Sequence, residues 1–343
     1  MTAVRVGLVG YGMAGRDIHA PLIRAAGLTM AAVATRNAER ADAARAEHRA
    51  AVVPDLSAML ERDDIDVVVL ASPSGVHADQ VGQCVAARRP VVVDKPLAVD
   101  ARSAAAAVAA AKAAGVPLTV FQNRRYDPEF ATISHVLASG LVGQPFRAEL
   151  RWERWRPVPR RRWREEAPWQ EGGGIMLDLH THLVDQAVLL FGPVVRVYAE
   201  VASRSTVSDD DAFLALHHGS GMLTHVGATS LSAAPGPRLR LLGREAAYLL
   251  ATASGQEHAL GDLADLDGHH GWLIRGADDR EPVPAQHADP ADFYRSVAAA
   301  LAAPDPQAAM PVDPRDAVHV LAVLDAARVS SATATVVDVV TPS

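Results

Sequence analysis

Asp178 and His182 stand four residues apart behind three glycines, in Gly172-Gly173-Gly174-Ile175-Met176-Leu177-Asp178-Leu179-His180-Thr181-His182. On a helix that spacing puts both side chains on one face. Histidine titrates near neutral pH, and a neighbouring carboxylate orients it and stabilises its protonated form, so the pair suits proton transfer. Without context the same pair is also an ordinary feature of a helix surface. A second candidate is Lys95 in Asp94-Lys95-Pro96, directly after the apolar run Val91-Val92-Val93. A cation there sits at the carboxyl end of a strand, the side on which open α/β sheets bind ligands. A third is Gly10-Tyr11-Gly12-Met13-Ala14-Gly15, a G-x-G-x-x-G run behind the apolar Val4 to Val9. Gly10 permits a tight turn, Gly12 lets the backbone approach a pyrophosphate, Gly15 lets a helix pack closely, and the helix N-terminus faces phosphate charge. A metal site is not expected, because the histidines around Asp178 lack a third ligand at metal-binding spacing and no cysteine is near.

These residues need elements to hold them. Residues 1 to about 122 alternate short apolar strands with alanine-rich helices, the pattern of βαβ units around a parallel sheet. Strands are expected at Val4 to Val9, Thr29 to Ala34, near Val52, Val67 to Leu70, Val91 to Asp94 and Leu118 to Phe121. Beyond residue 122 the texture changes to strands ending in Gly or Pro turns: Phe146 to Trp155, Val194 to Ala202, Ala212 to His217, Met222 to Thr229, Arg238 to Leu242 and Ala247 to Ala251. This predicts a doubly wound α/β Rossmann domain over 1–122. An α+β domain with a large, mostly antiparallel open sheet follows over 123–343. Helices are expected at Ile175 to Phe191, Asp289 to Ala302 and Pro314 to Ser331.

Length and composition narrow the function. A chain of 343 residues suits two domain-sized cores. Its net charge of −7, from 33 basic and 40 acidic residues, builds no field for a polyanion. Arg151 to Arg164 holds seven arginines with Trp152, Trp155 and Trp163. Such a mixture also occurs on nucleic-acid surfaces. In a net acidic chain an amphipathic pocket loop explains it better, because Trp faces stack on sugar C–H groups and Arg donors bond hydroxyls or carboxylates. Nucleic acid is not an expected partner. Cys84 is the single cysteine, no apolar run approaches about 18 residues, and no basic leader precedes the first strand. The expectation is a cytoplasmic protein without a membrane span.

The end of the second strand, Ala34-Thr35-Arg36-Asn37, bears on the cofactor. An acid at that point would bond a ribose 2′-hydroxyl, and none is present. Arg36 offers a planar fork suited to a phosphate, which favours NADP(H). A solvated Arg36 stacking on adenine, with NAD(H) bound, stays open.

Several motifs in order resemble the Gfo/Idh/MocA oxidoreductases over nearly the whole chain. They are the glycine turn, His19-Ala20-Pro21, the loop Ser72-Pro73-Ser74-Gly75-Val76-His77, Asp94-Lys95-Pro96, Gln122-Asn123-Arg124-Arg125, and the glycine-led Asp178 and His182. Arg151 to Glu166 with Asp178 to Gly192 is most similar to the branch containing NADP-dependent scyllo-inositol dehydrogenase. The resemblance implies that Lys95, Asp178 and His182 are catalytic in hydride transfer between a nicotinamide and a carbinol carbon of a cyclic polyol or sugar. It implies cofactor contacts from Gly10, Tyr11, Gly12, Met13, Ala14, Thr35, Arg36, Ser72, Pro73, His77, Asp94, Lys95 and Asn123. Substrate contacts are expected from Lys95, Arg124, Arg161, Trp163, Asp178 and His182. It further implies a homodimer or homotetramer built through the C-terminal sheet. Two departures stand out: Asp94 replaces the usual glutamate, and His180 stands where many relatives carry glycine. A regulatory protein that senses NAD(P) without turnover is the alternative, and the presence of Lys95 and His182 argues against it.

Overall fold

The computed structural model describes residues 3–160, 162–251 and 263–342. Six parallel strands form the first sheet: β1 (Arg5–Val9), β2 (Thr29–Ala34), β3 (Ala51–Val53), β4 (Val67–Leu70), β5 (Val91–Asp94) and β6 (Leu118–Phe121), in the order β3-β2-β1-β4-β5-β6. Strand order reverses between β1 and β4, the switch point at which such sheets bind ligands. Every residue of β4, β5 and β6 is buried, which accounts for their continuous Val and Leu content. The helices between strands carry clear caps. Asn37 accepts from the Arg40 N–H, and Asp100 accepts from the Ser103 N–H.

The second sheet comprises β7 (Pro145–Glu153), β8 (Val194–Ala202), β9 (Asp211–His218), β10 (Leu223–Thr229), β11 (Leu239–Gly243), β12 (Ala247–Leu250), β13 (His269–Ile274), β14 (Arg280–Pro284) and β15 (Val337–Asp338). Its order is β14-β13-β12-β11-β7-β10-β9-β8-β15, antiparallel except where β10 runs parallel to β7. Along β9 and β10 buried residues alternate with half-exposed ones, so one face is packed and the other is open. This is the mixed, mostly antiparallel architecture that the sequence predicts, with three further strands at its edges. The expected strand Ala247 to Ala251 ends at Leu250.

Two compact units emerge, and their boundary differs from the single expected cut. The first contains the chain up to Asn123 together with Pro290–Val318, and the second contains Arg124–Asp289 with His319–Thr341. The physical reason lies on β6. Phe121 packs its ring against His19, Phe293 and Tyr294, with centroids 4.3, 4.9 and 5.7 Å away. Gln307 Oε1 accepts from the Leu118 N–H at 2.8 Å, and Thr119 Oγ1 donates to the Val312 carbonyl at 2.9 Å. The late segment therefore completes the first core. Among the described residues no helix is long and apolar enough to cross a membrane.

Candidate functional site

The glycine turn of the first unit is shaped by close backbone contacts. Gly10 has φ +93°, and a Cβ there would meet the Ala71 carbonyl oxygen at 2.6 Å. On Gly15 a Cβ would run into the Gly10 carbonyl oxygen. Both positions must be glycine for the protein's own packing. Gly12 is different: a Cβ there would find only Arg40 Nη1, at 3.8 Å. Tyr11 is buried, donating to Glu47 at 2.7 Å and lying 2.7 Å from His48 Nε2, so its side chain braces the turn from inside. Met13 is half exposed, and Ala14 opens a π-helical turn, Ala14–His19.

At the end of β2, Thr35 Oγ1 accepts from the Asn37 N–H. Arg36 is exposed and pairs with Asp55 at 3.0 Å. The acid missing from the end of β2 thus comes from the N-cap of the helix Leu56–Leu60, and Arg36 would have to exchange partners to meet a phosphate.

On the same unit, the loops after β4 and β5 are tied together by His77. Its ring nitrogens lie 2.7 Å from the Pro96 carbonyl and 2.9 Å from the Ser72 carbonyl. A neutral imidazole has one N–H to share between them, and burial pushes its pKa down. With its ring 1% exposed, His77 shapes both loops rather than offering its side chain to a nucleotide. Ser72 Oγ donates to Gln80 at 2.5 Å. Asp94 is 8% exposed and accepts from the Lys95 backbone N–H at 2.8 Å. Burial alone would raise its carboxyl, but His19, Lys95 and His77 outweigh burial and hold it below the usual range. Lys95 itself is 8% exposed, held among these groups.

In the second unit Gly172 and Gly174 have φ +93° and +95°. A Cβ on Gly173 would strike the Ala167 carbonyl, and one on Gly174 would strike the Asp209 carboxylate. Gly173 and Gly174 therefore serve close approach. Asp209 accepts from the Met176 N–H at 2.6 Å and so caps the first turn of the helix. The expected helix Ile175 to Phe191 begins as a π-helical turn, Met176–His180, and continues as an α-helix, Thr181–Phe191. Asp178 lies on the π turn, with Arg164 Nε 3.6 Å from its carboxylate. His182 is 6% exposed, its ring 6.0 Å from that of Trp152. His180 is buried, and burial pushes its pKa down to about 4, against weak help from the Ile175 and Ala212 carbonyls. It is a neutral wall of the core.

Arg124 donates to Asp127 at 2.7 Å and lies over the Trp152 ring at 4.8 Å, while Trp163 is covered by Arg164 at 4.9 Å. Asn123 opens the 3-10 turn Asn123–Tyr126. Arg161 lies outside the described residues. Among those described, no group of three or more His, Cys, Asp or Glu is disposed to hold a metal.

A family profile described as "Oxidoreductase family, NAD-binding Rossmann fold" matches residues 4–122, and the GFO/IDH/MocA C-terminal domain profile matches 130–249. The chain belongs to the GFO/IDH/MocA oxidoreductases. It is 31% identical over 345 residues to scyllo-inositol 2-dehydrogenase (NADP(+)) IolW of Bacillus subtilis, covering 96% of this chain and 94% of that one. Inositol 2-dehydrogenase 4 of Saccharopolyspora erythraea is 38% identical over 146 residues, 41% of this chain and 43% of that protein. Among solved structures, YvaA of Bacillus subtilis superimposes with a TM-score of 0.85 at 27% identity over 98% of both chains.

Membership in the GFO/IDH/MocA oxidoreductases implies a nicotinamide cofactor, and the open space at Gly12 fits one. Among the described residues nothing requires Gly12 to lack a side chain, whereas a pyrophosphate lying against the backbone would. Gly12→Ala should therefore leave the urea unfolding midpoint unchanged while weakening nicotinamide cofactor binding at least about tenfold. Unchanged affinity in a fluorescence titration would remove Gly12 from the cofactor site.

In this GFO/IDH/MocA oxidoreductase Arg40 carries no motif, and Arg125 stands in the Gln122 to Arg125 motif with no role assigned to it from the sequence. Arg40, one turn into the helix after β2, places its guanidinium beside Gly12. Its position three residues past the Asn37 cap is the one signal that could have found it. Arg125 donates twice to Asp185, at 2.9 and 2.6 Å, and so ties the helix carrying His182 to the Asn123–Tyr126 turn. No spacing rule points to that pair, which lies sixty residues apart in the chain.

Proposed function

We propose that this oxidoreductase is NADP(H)-dependent and acts on a carbinol carbon of a cyclic polyol or sugar. The observation that carries the proposal is within the first unit: the cradle at Gly12 and the buried Lys95 both lie at the carboxyl ends of β1 and β5, on either side of β4. IolW, named as an NADP(+)-dependent scyllo-inositol 2-dehydrogenase and matching nearly end to end, supports the substrate class. A nicotinamide held at the Gly10 to Gly12 turn would supply the hydride acceptor or donor. In the oxidative direction His182 accepts the hydroxyl proton, and Lys95 stabilises the negative charge that develops on the carbinol oxygen. Asp178 orients His182 or holds a neighbouring substrate hydroxyl.

Thr35, Arg36 and Arg40 support the 2′-phosphate reading: a hydroxyl and two guanidiniums gather at the end of β2 and beside Gly12, and Arg40 has no acidic partner among the described residues. Titration with NADPH and NADH is expected to show at least about tenfold tighter NADPH, reduced towards parity in Arg40→Ala. Equal or tighter NADH binding would sink the NADP assignment. Absorbance at the reduced-cofactor band with inositols and pyranoses tests turnover. A complete lack of turnover across the panel would favour a sensing role. The open face of the second sheet, where Phe213 is 40% exposed beside His225, is the surface proposed for pairing into a homodimer or homotetramer.

A further inference from the structure

A cleft in the second unit is lined by Arg154, Arg156, Arg162 and Arg164 together with Asp178 and Ser230. Their acidic neighbours are mostly committed. Arg162 pairs with Glu165 at 2.6 Å, and Arg164 lies 3.6 Å from Asp178. Asp210 accepts from the Arg204 and Ser205 N–H groups and the Ser205 hydroxyl, and Asp209 accepts from the Met176 N–H. Arg154 and Arg156 line the cleft and feel Asp178 at longer range, and among the described residues neither forms a carboxylate ion pair within 4 Å.

Their surroundings make this costly. Burial, then Arg156, pushes the Arg154 guanidinium down to about 10, with Asp178 opposing and Arg124 and Arg160 acting in the same direction as burial. Arg156 is lowered by burial, Arg160 and Arg162, against a weaker pull from Glu165 and Asp178. Arg154 lies 5.2 Å over the Trp152 ring, which Arg124 and Arg238 also approach at 4.8 and 5.0 Å, and Trp152 is the ring beside His182. Crowded, half-buried cations next to a candidate proton-transfer pair are stabilised when an anion joins them.

We propose that the natural substrate is a polyol or sugar bearing an oxyanion, which Arg154 and Arg156 bind beside Asp178. This rests on the reading of Asp178 and His182 as the reacting end of the substrate site. A neutral inositol fills the hydroxyl contacts and leaves the two arginines unpaired; a uronate, an aldonate or a sugar phosphate pairs them. Guanidinium geometry accepts either carboxylate or phosphate through two parallel N–H donors.

The test compares kcat/KM of the full chain with NADP+ for glucuronate, glucose 6-phosphate, glucose and scyllo-inositol. At least one charged substrate should exceed its neutral counterpart about tenfold or more, the advantage should shrink as ionic strength rises, and the ratio should fall towards one in Arg156→Gln. Preference for glucuronate assigns a carboxylate, and preference for glucose 6-phosphate assigns a phosphate. A ratio at or below one, with neutral polyols turned over, overturns the oxyanion proposal and leaves the dehydrogenase reading standing. If no sugar is turned over, that reading fails instead, and glucarate titration followed by tryptophan fluorescence decides the oxyanion site. Saturable binding weakened about tenfold in Arg154→Gln supports it, and no saturable binding overturns it.

Discussion

Lys95→Ala is expected to lower turnover by roughly two to four orders of magnitude, while NADP(H) affinity stays within about threefold. Lys95 emerges directly from β5 with its backbone N–H bound to Asp94, and only 8% of the residue is exposed. A partly desolvated ammonium stabilises a developing alkoxide far more than a solvated one does. The cradle at Gly10 and Gly12 is built from backbone, so deleting the ammonium leaves it in place. Lys95→Arg keeps the charge but changes a compact point donor into a planar fork, and should recover only a small part of the rate. Steady-state turnover measured alongside cofactor titration checks this. Near-normal turnover in Lys95→Ala would remove the residue from the reaction.

Asp185→Ala should destabilise the protein by roughly 3–5 kcal/mol, the cost of leaving one member of a buried ion pair behind. Arg125 and Asp185 are joined by two charge-assisted hydrogen bonds, and their side chains are 13% and 3% exposed. Loss of the carboxylate removes two charge-assisted hydrogen bonds from a guanidinium whose side chain is only 13% exposed. Because Asp185 lies one turn beyond His182 on the same helix, activity should fall with stability. The double variant Arg125→Met with Asp185→Leu should recover much of the loss, since an apolar pair of similar volume carries no desolvation penalty. Denaturant unfolding reads both effects. A single-variant change below about 1 kcal/mol would show that the pair is not a tether.

The first unit is the more legible part of the chain. Its strands are buried on both faces and read as unbroken apolar runs, and a glycine turn between strand and helix has few alternative meanings. Val194–Ala202 in the second unit is equally plain. β14, with Pro282 and Pro284, looks like a loop because proline is tolerated in a strand only where no ladder donor is needed. β15 is two residues long and exists only by pairing with β8. The π turn under Asp178 has no sequence signature. Among the residues proposed to act, Lys95, Asp178 and His182 are visible through their motifs, while Arg40, Arg125 and the pairing of Arg36 with Asp55 depend on contacts between separated segments. His77 is found by its motif, yet its buried ring and two carbonyl neighbours give it a different task.

The ring stack on β6 has a consequence for synthesis. Phe121 and His19 leave the ribosome long before Phe293, Tyr294 and Gln307, which later cover that flank. Until they arrive, the newborn nucleotide-binding unit exposes an aromatic edge and an unpaired Leu118 amide, a surface of the kind that chaperones hold and that aggregates at high expression. A gene truncated after Asp289 would leave that state permanent.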